Sequence, residues 1–413
     1  MGSLSQRIEP ALSAVLCSLL FFAFCTSVRA DDASLRSLYD GHRWFDLRDA
    51  VAKGGTAVFY QGVVACVFND LRRCEKKMAA VVKANPQSDE AVKAHKHLAS
   101  AYLVHGKYRE VLAQINAILA VRPGDSDAAN DRSLMATLAE FPNQEVAHRA
   151  NSTLDIQEAG LPFSINGVQA TYWFDTGANY SVMTESEARR FGLKAREVST
   201  KMGVSTGARV DFRVAVADDV SFGSFRLKHV AFLVVGDDQP PFNESPDGSR
   251  GLVGMPVLMA FQRFVWANRK FEIGTKPLGK NVPRAKLSFD ENDPVTEIQF
   301  ENRTLTFVLD TGATNTDLFP PFAAAFPELI SKATRTDSYK TEGVGSVKYI
   351  NAAILPSVRF SIGGFPVTLN NADVLLKPTS EKSNFFAGNL GIDLLQQAHK
   401  TTFDLKEMTL TLQ

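Results

Sequence analysis

The tetrapeptide Asp-Thr-Gly-Ala occurs twice in this chain, each time at the end of an apolar run. The first copy reads Tyr172-Trp173-Phe174-Asp175-Thr176-Gly177-Ala178, and the second reads Phe307-Val308-Leu309-Asp310-Thr311-Gly312-Ala313. One such tetrapeptide is ordinarily a turn, because Asp and Gly both favour turns. Two copies in the same setting place two carboxyl groups at matching strand-to-turn junctions. Such a pair, Asp175 and Asp310, can face one water, one acid as general base and the other as general acid.

Further landmarks repeat around them. Leu252-Val253-Gly254-Met255-Pro256 follows Asp175, and Asn389-Leu390-Gly391-Ile392-Asp393 follows Asp310. The Asp-to-Gly separations are 254 − 175 = 79 and 391 − 310 = 81 residues. Between each Asp and its Gly lies a glycine-rich stretch, Gly203-Val204-Ser205-Thr206-Gly207 or Gly343-Val344-Gly345-Ser346. Each half closes on a strand-like tail, Lys270 to Gly274 or Thr402 to Leu405. After about residue 150, period-2 alternation marks strands at Arg209 to Val216, Val230 to Val235 and Glu297 to Val308. Residues 278–287 read as a linker between two similar halves.

These landmarks resemble the retropepsin-like aspartic proteases over roughly residues 152–413. In that family each lobe has an Asp-Thr-Gly-Ala loop, a flap hairpin and an apolar-apolar-Gly helix start. Both lobes lie in one chain here, as in pepsin-like enzymes, and bacterial exported bilobal proteins are similar. The resemblance implies that Asp175 and Asp310 are a catalytic pair sharing a proton, as in aspartic proteases generally. It implies that Thr176 and Thr311 lock the two loops together and that Gly177 and Gly312 allow their close approach. Gly254 and Gly391 would pack beneath the loops, and Ser205, Gly207, Gly345 and Ser346 would belong to flaps. The chain departs from the family at Asn179-Tyr180 and Thr314-Asn315, where retroviral enzymes usually have acidic residues. The first flap has no tyrosine, and Met255-Pro256 is an unusual helix start.

Other motifs point to different chemistry. Gly203 to Gly207 also fits Gly-x-Ser-x-Gly, which would make Ser205 a serine-hydrolase nucleophile with His229 as base. That elbow must follow a buried strand and open a helix, whereas Lys201-Met202 precede it and an alternating strand follows. His95 and His97, two apart on a helix, point to different faces and read as surface residues. The seven histidines offer no metal site, no Cys-x-x-Cys exists, and no cofactor is expected. The loop Asp237 to Gly248 reads as polar, with a place near the rim of the cleft.

The chain has 413 residues, 45% apolar, enough for two or three domains. Its formal charge of zero gives no sign of a nucleic-acid partner. Residues 1–30 read as a signal peptide, with Arg7, an apolar stretch from Ala11 to Cys25 and the small-x-small ending Val28-Arg29-Ala30. An uncleaved anchor is the alternative and the one route to a membrane partner. A lipid anchor on Cys25 is disfavoured by Phe24. Cys17 and Cys25 leave with the signal, and the pair Cys66 and Cys74 is compatible with one disulfide or with two buried thiols.

Residues 31–150 read as helices whose residues Leu98, Ala99, Tyr102, Val111, Ile115, Ile118 and Pro123 resemble a tetratricopeptide unit. A looser unit ends at Pro86, and a half-unit runs from Leu38 to Ala50. An irregular helical domain is the alternative.

The expected organisation is multidomain: a signal peptide over 1–30, an all-α helical-repeat domain over 31–150, and an all-β two-lobe acid-protease (retropepsin-like) domain, with lobes at 151–278 and 279–413. The expected function is an exported, periplasmic or secreted aspartic endopeptidase acting on a polypeptide. Its helical domain would bind a protein or cover the cleft as a pro-segment. A catalytically silent peptide-binding relative is the competing reading.

Overall fold

The computed structural model describes residues 32–157, 160–267, 269–279 and 281–413. The expected signal segment lies outside the described residues. A helical region comes first: α1 (Asp32–Asp40), α2 (Trp44–Ala52), α3 (Val58–Val67), α4 (Leu71–Ala84), α5 (Asp89–Leu103), α6 (Tyr108–Val121) and α7 (Ser126–Ala139). No helix among the described residues is long and apolar enough to cross a membrane.

Local chemistry sets the helix starts. Asp70, Ser88 and Asp125 each accept a hydrogen bond from the backbone N–H three residues on, which satisfies a donor the helix leaves orphaned. α3 packs on α4, α5 on α6 and α6 on α7. Pro86 and Pro123 follow the ends of α4 and α6, where a ring without an N–H cannot continue a helix. Cys66 on α3 and Cys74 on α4 form a disulfide.

The chain enters the β region at Glu145–His148, which pairs with Phe225–Lys228 in the first lobe. In that lobe the short strand Gly251–Val253 runs parallel to Val168–Phe174 and antiparallel to Ser181–Thr184. The second lobe repeats the pattern: Gly388–Leu390 is parallel to Arg303–Leu309 and antiparallel to Asp317–Leu318. The Asp-Thr-Gly-Ala loops leave the ends of Val168–Phe174 and Arg303–Leu309.

A shared sheet ties the lobes. Ser152–Asp155, Lys270–Ile273, Arg263–Ala267, Lys400–Asp404, Thr409–Leu412 and Ala285–Asp290 lie side by side, three strands from each half. Across the junction Arg263 pairs with Asp404 at 2.6 Å, and Phe264 stacks on Phe403 with ring centres 4.6 Å apart.

The helices cover both lobes. Aromatic residues of α2 and α3 share a packed cluster with Val295, Val308, Phe319 and Phe386 of the second lobe. Residues of α5 to α7 share another with Val182, Phe212, Leu233 and Leu252 of the first. Between α1 and α2, His42 Nδ1 lies 2.6 Å from Asp290 Oδ1, and Trp44 Nε1 donates to the same oxygen at 2.8 Å. Burial opposes a charge on His42, but the hydrogen bond and charge of Asp290 override it and raise the imidazole above its usual value.

Three sequence expectations are corrected here. His97 is no surface residue: its Nε2 lies 3.1 Å from the Tyr39 hydroxyl, and burial lowers its pKa to about 4. Two residues away, His95 faces Gln114 at 2.7 Å, so the two rings do take different faces, but α1 covers one of them. The stretch Arg209 to Val216 breaks into Arg209–Val210 and Arg213–Ala217, because Phe212 turns inward to the helices. The expected linker ends early, since Ala285 to Leu287 already pair in strand Ala285–Asp290.

The disulfide closes a loop of sequence separation 8. Replacing both Cys66 and Cys74 by Ser is expected to cost the helical region about 2–3 kcal/mol, through release of the unfolded chain. Denaturant unfolding followed by helical circular dichroism measures this, and an unchanged midpoint would refute it.

Candidate active site

The two loops meet at the junction of the lobes, and each threonine reaches across. Thr176 Oγ1 donates to Leu309 O at 2.7 Å and accepts from Thr311 N at 3.0 Å. Thr311 Oγ1 donates to Phe174 O at 2.9 Å and accepts from Thr176 N at 3.1 Å. Both side chains are essentially without solvent exposure, at 1% and 0%. At that burial an unmade bond costs its full desolvation penalty, so the exchange fixes the two loops relative to each other. Trp173 adds a third link, its Nε1 donating to Thr311 O at 2.8 Å.

The exchange sets the two carboxyl groups against the opposite loops. A Cβ on Gly177 would lie 2.7 Å from Asp310 Cγ, and one on Gly312 would collide with the Asp175 carboxyl. No side chain fits at either position. Each Asp also accepts from the glycine two residues on: Gly177 N donates to Asp175 Oδ1 at 2.8 Å, and Gly312 N to Asp310 Oδ1 at 3.0 Å. Burial, the neighbouring Asp310 charge and the hydrogen bond between the two carboxyls raise Asp175 well above the usual carboxylate range.

Beneath the loops the halves match closely. Met255 N donates to Ala178 O, and Ile392 N to Ala313 O. Gly254 N donates to Ser181 Oγ at 3.1 Å, and Gly391 N to Thr316 Oγ1 at 3.0 Å. A side chain on Gly254 would strike the Tyr180 carbonyl, and one on Gly391 the Asn315 carbonyl.

The flap candidates also come together. Gly203 to Gly207 forms the turn region between Met202–Gly203 and Arg209–Val210, which pair antiparallel. Gly345 lies in the turn joining Thr334–Gly343 to Ser346–Ile362. Ser205 Oγ donates to Glu342 O at 3.2 Å, and Thr206 Oγ1 to Ser346 Oγ at 2.8 Å, so the two tips touch. The loop expected near the rim supports this contact, with Pro240 O accepting from Gly345 N at 2.7 Å. Gly207 takes a left-handed φ of 82° in its turn.

Ser205 therefore lies in a strand–turn–strand hairpin, without the helix a nucleophile elbow opens. His229 sits elsewhere, 3.6 Å from Asp218, and nothing brings it to Ser205.

Several residues near the pair were not singled out from sequence. Asn389 Nδ2 donates to Asp310 Oδ2 at 3.0 Å. Tyr339, on the second flap, donates its hydroxyl to Asp317 Oδ1 at 2.6 Å. Burial raises Asp317 to about 7; the Tyr339 bond opposes the shift, and the Asp373, Asp393 and Asp310 charges add to it. Superposing the halves on their aspartates would have exposed both: Asp317 stands where the first lobe has Val182, and Asn389 where it has Leu252. A polar residue facing an apolar counterpart is the legible signal.

Residues 161–257 match the family model described as aspartyl protease. A solved structure, that of a retropepsin-like aspartic protease from Rickettsia conorii, is similar to 32% of this chain and 92% of its own, at 18% identity and a TM-score of 0.22. No curated protein sequence matches the chain.

Asp317 supplies a pH test. Its folded pKa of about 7 exceeds the ordinary 3.8, so the folded state holds the proton longer than the unfolded state. The resulting penalty grows as pH rises from about 4 to about 7 and is full above that. Asp317→Asn cannot titrate and still accepts from Tyr339. It should gain melting temperature over wild type at pH 8 relative to their difference at pH 4. An identical difference at both pH values would sink this assignment.

Among the described residues the chain thus joins seven N-terminal helices to two β lobes, the first of which matches the aspartyl protease family model over residues 161–257.

Proposed function

We propose that the chain is an aspartic endopeptidase that hydrolyses peptide bonds with a water activated between Asp175 and Asp310. The observation that carries this reading is the crossed threonine exchange, which holds both carboxyl groups at one point where they cannot both ionise freely. The ionised acid takes a proton from the water. The water oxygen attacks the scissile carbonyl carbon while the protonated acid donates to the carbonyl oxygen. The product of attack is a tetrahedral diol, and its collapse releases the amine without a covalent enzyme intermediate.

Binding has a matching physical basis. An extended peptide gains main-chain hydrogen bonds by lying along strand edges, as in strand addition. The Cys66–Cys74 bridge supports export, since disulfides persist in oxidising compartments. The helical region supports a role at the cleft, because α5 to α7 share a packed cluster with Ala178, Tyr180 and Leu252.

The experiment is cleavage of an unfolded protein mixture from acid to neutral pH, with wild type, Asp175→Asn and Asp310→Asn compared. Each substitution should lower cleavage at least about a hundredfold, the low end of what a general acid or base contributes. Cleavage that survives in both would remove the mechanism. Peptide binding without cleavage by the wild type would instead mark a silent binding protein.

A further inference from the structure

The two halves match so closely around the carboxyl pair that one departure stands out. Leu252 pairs with Trp173, and Asn389 pairs with Val308, each two residues before its aspartate. The two positions are therefore equivalent across the lobes. Leu252 has no group to offer a carboxylate. Asn389, half-buried, donates its amide to Asp310 Oδ2 at 3.0 Å.

We propose that Asn389 is a positioning residue that makes Asp310 the carboxylate of the pair and leaves the shared proton on Asp175. This rests on the aspartic-endopeptidase reading and goes further by assigning the two acid roles. An amide N–H bonded to a carboxyl favours its ionised form, and donor bonds to a charged oxygen are the stronger kind. Asp310 has two such donors, Gly312 N on Oδ1 and Asn389 Nδ2 on Oδ2. Asp175 has a comparable donor in Gly177 N on Oδ1, and the Ala178 N–H also favours its charged form, but among the described residues no side-chain amide reaches it, because the counterpart of Asn389 is a leucine.

The surrounding charges are few. Asp310 faces Asp175 from the first-lobe loop and Asp317 from strand Asp317–Leu318. Lys382, held by Asp293, acts on the pair through Asp175. Lys382 favours a charge on Asp175, and so does the Ala178 N–H. Both work against the assignment, so Asn389 has to outweigh them. In the reaction, Asp310 accepts the proton from the attacking water, and Asp175 passes its own proton to the carbonyl oxygen. One proton is gained by the pair and one is lost.

The test uses the full chain with Asn389→Leu, which copies the first lobe, and Asn389→Ala, which removes the donor without filling its space. Both should move the acid limb of the kcat/KM–pH profile upward by about one unit, roughly a tenfold loss at the foot of the limb. A limb unmoved in both variants overturns the inference. A shift of opposite sign in the two also overturns it, since that follows packing and not the donor. Carbon NMR titration of aspartate-labelled wild type and Asn389→Ala reads the carboxyl groups without reference to turnover. Asp310 losing its proton first in wild type, and that order weakening in the variant, supports the assignment; Asp175 losing its proton first overturns it. Should cleavage prove independent of both aspartates, the endopeptidase reading falls, and the titration still decides the role of Asn389.

Discussion

Two carboxyl groups aimed at one point repel when both are charged, and the rest of this fold is arranged so that they cannot move apart. The threonine hydroxyls do the nearest holding, each bonded to the carbonyl and the amide of the other lobe. Behind them the shared sheet carries the load further out, with Arg263 against Asp404 and stacked phenylalanines across the seam. Neither lobe contains this site alone. A displacement of one lobe breaks four buried hydrogen bonds at once, so the pair is assembled or lost as a unit.

Much of this was readable from residue order. Asp175 and Asp310 sit at the ends of apolar runs, and the glycines at 254 and 391 follow at nearly equal distances, because each lobe must thread the same short parallel strand under its own loop. The helix pairs could be read from apolar spacing and from the prolines after α4 and α6. What could not be read depends on contacts between distant segments. Phe212 interrupts an alternating strand because helices lie over it, and His97 is half-buried with a lowered pKa because α1 brings Tyr39 onto it. Neither fact has a local signal. Asn389 is an intermediate case: it belongs to a repeated landmark, and its difference from Leu252 becomes legible only when the halves are aligned.

The duplication is as informative where it fails as where it holds. The backbone pattern beneath the loops is kept nearly bond for bond, Ser181 in one lobe doing what Thr316 does in the other. The side chains around the carboxyl pair are not kept: Val182 corresponds to Asp317, Leu252 corresponds to Asn389, and Tyr339 rises on one flap only. A two-fold frame with one-sided furnishing gives the two sides of the carboxyl pair different surroundings.

The base of the first flap is fastened to the helical region. Asn130 on α7 accepts from Thr200 Oγ1 at 2.7 Å and from Arg209 Nη2 at 2.9 Å, while Ser133 accepts from Ser199 Oγ at 2.8 Å. A hairpin clamped at its root lifts only if the clamp lets go or the helix travels with it. Tilting α7 would therefore pull on the root of a hairpin whose tip meets its opposite at Thr206 and Ser346.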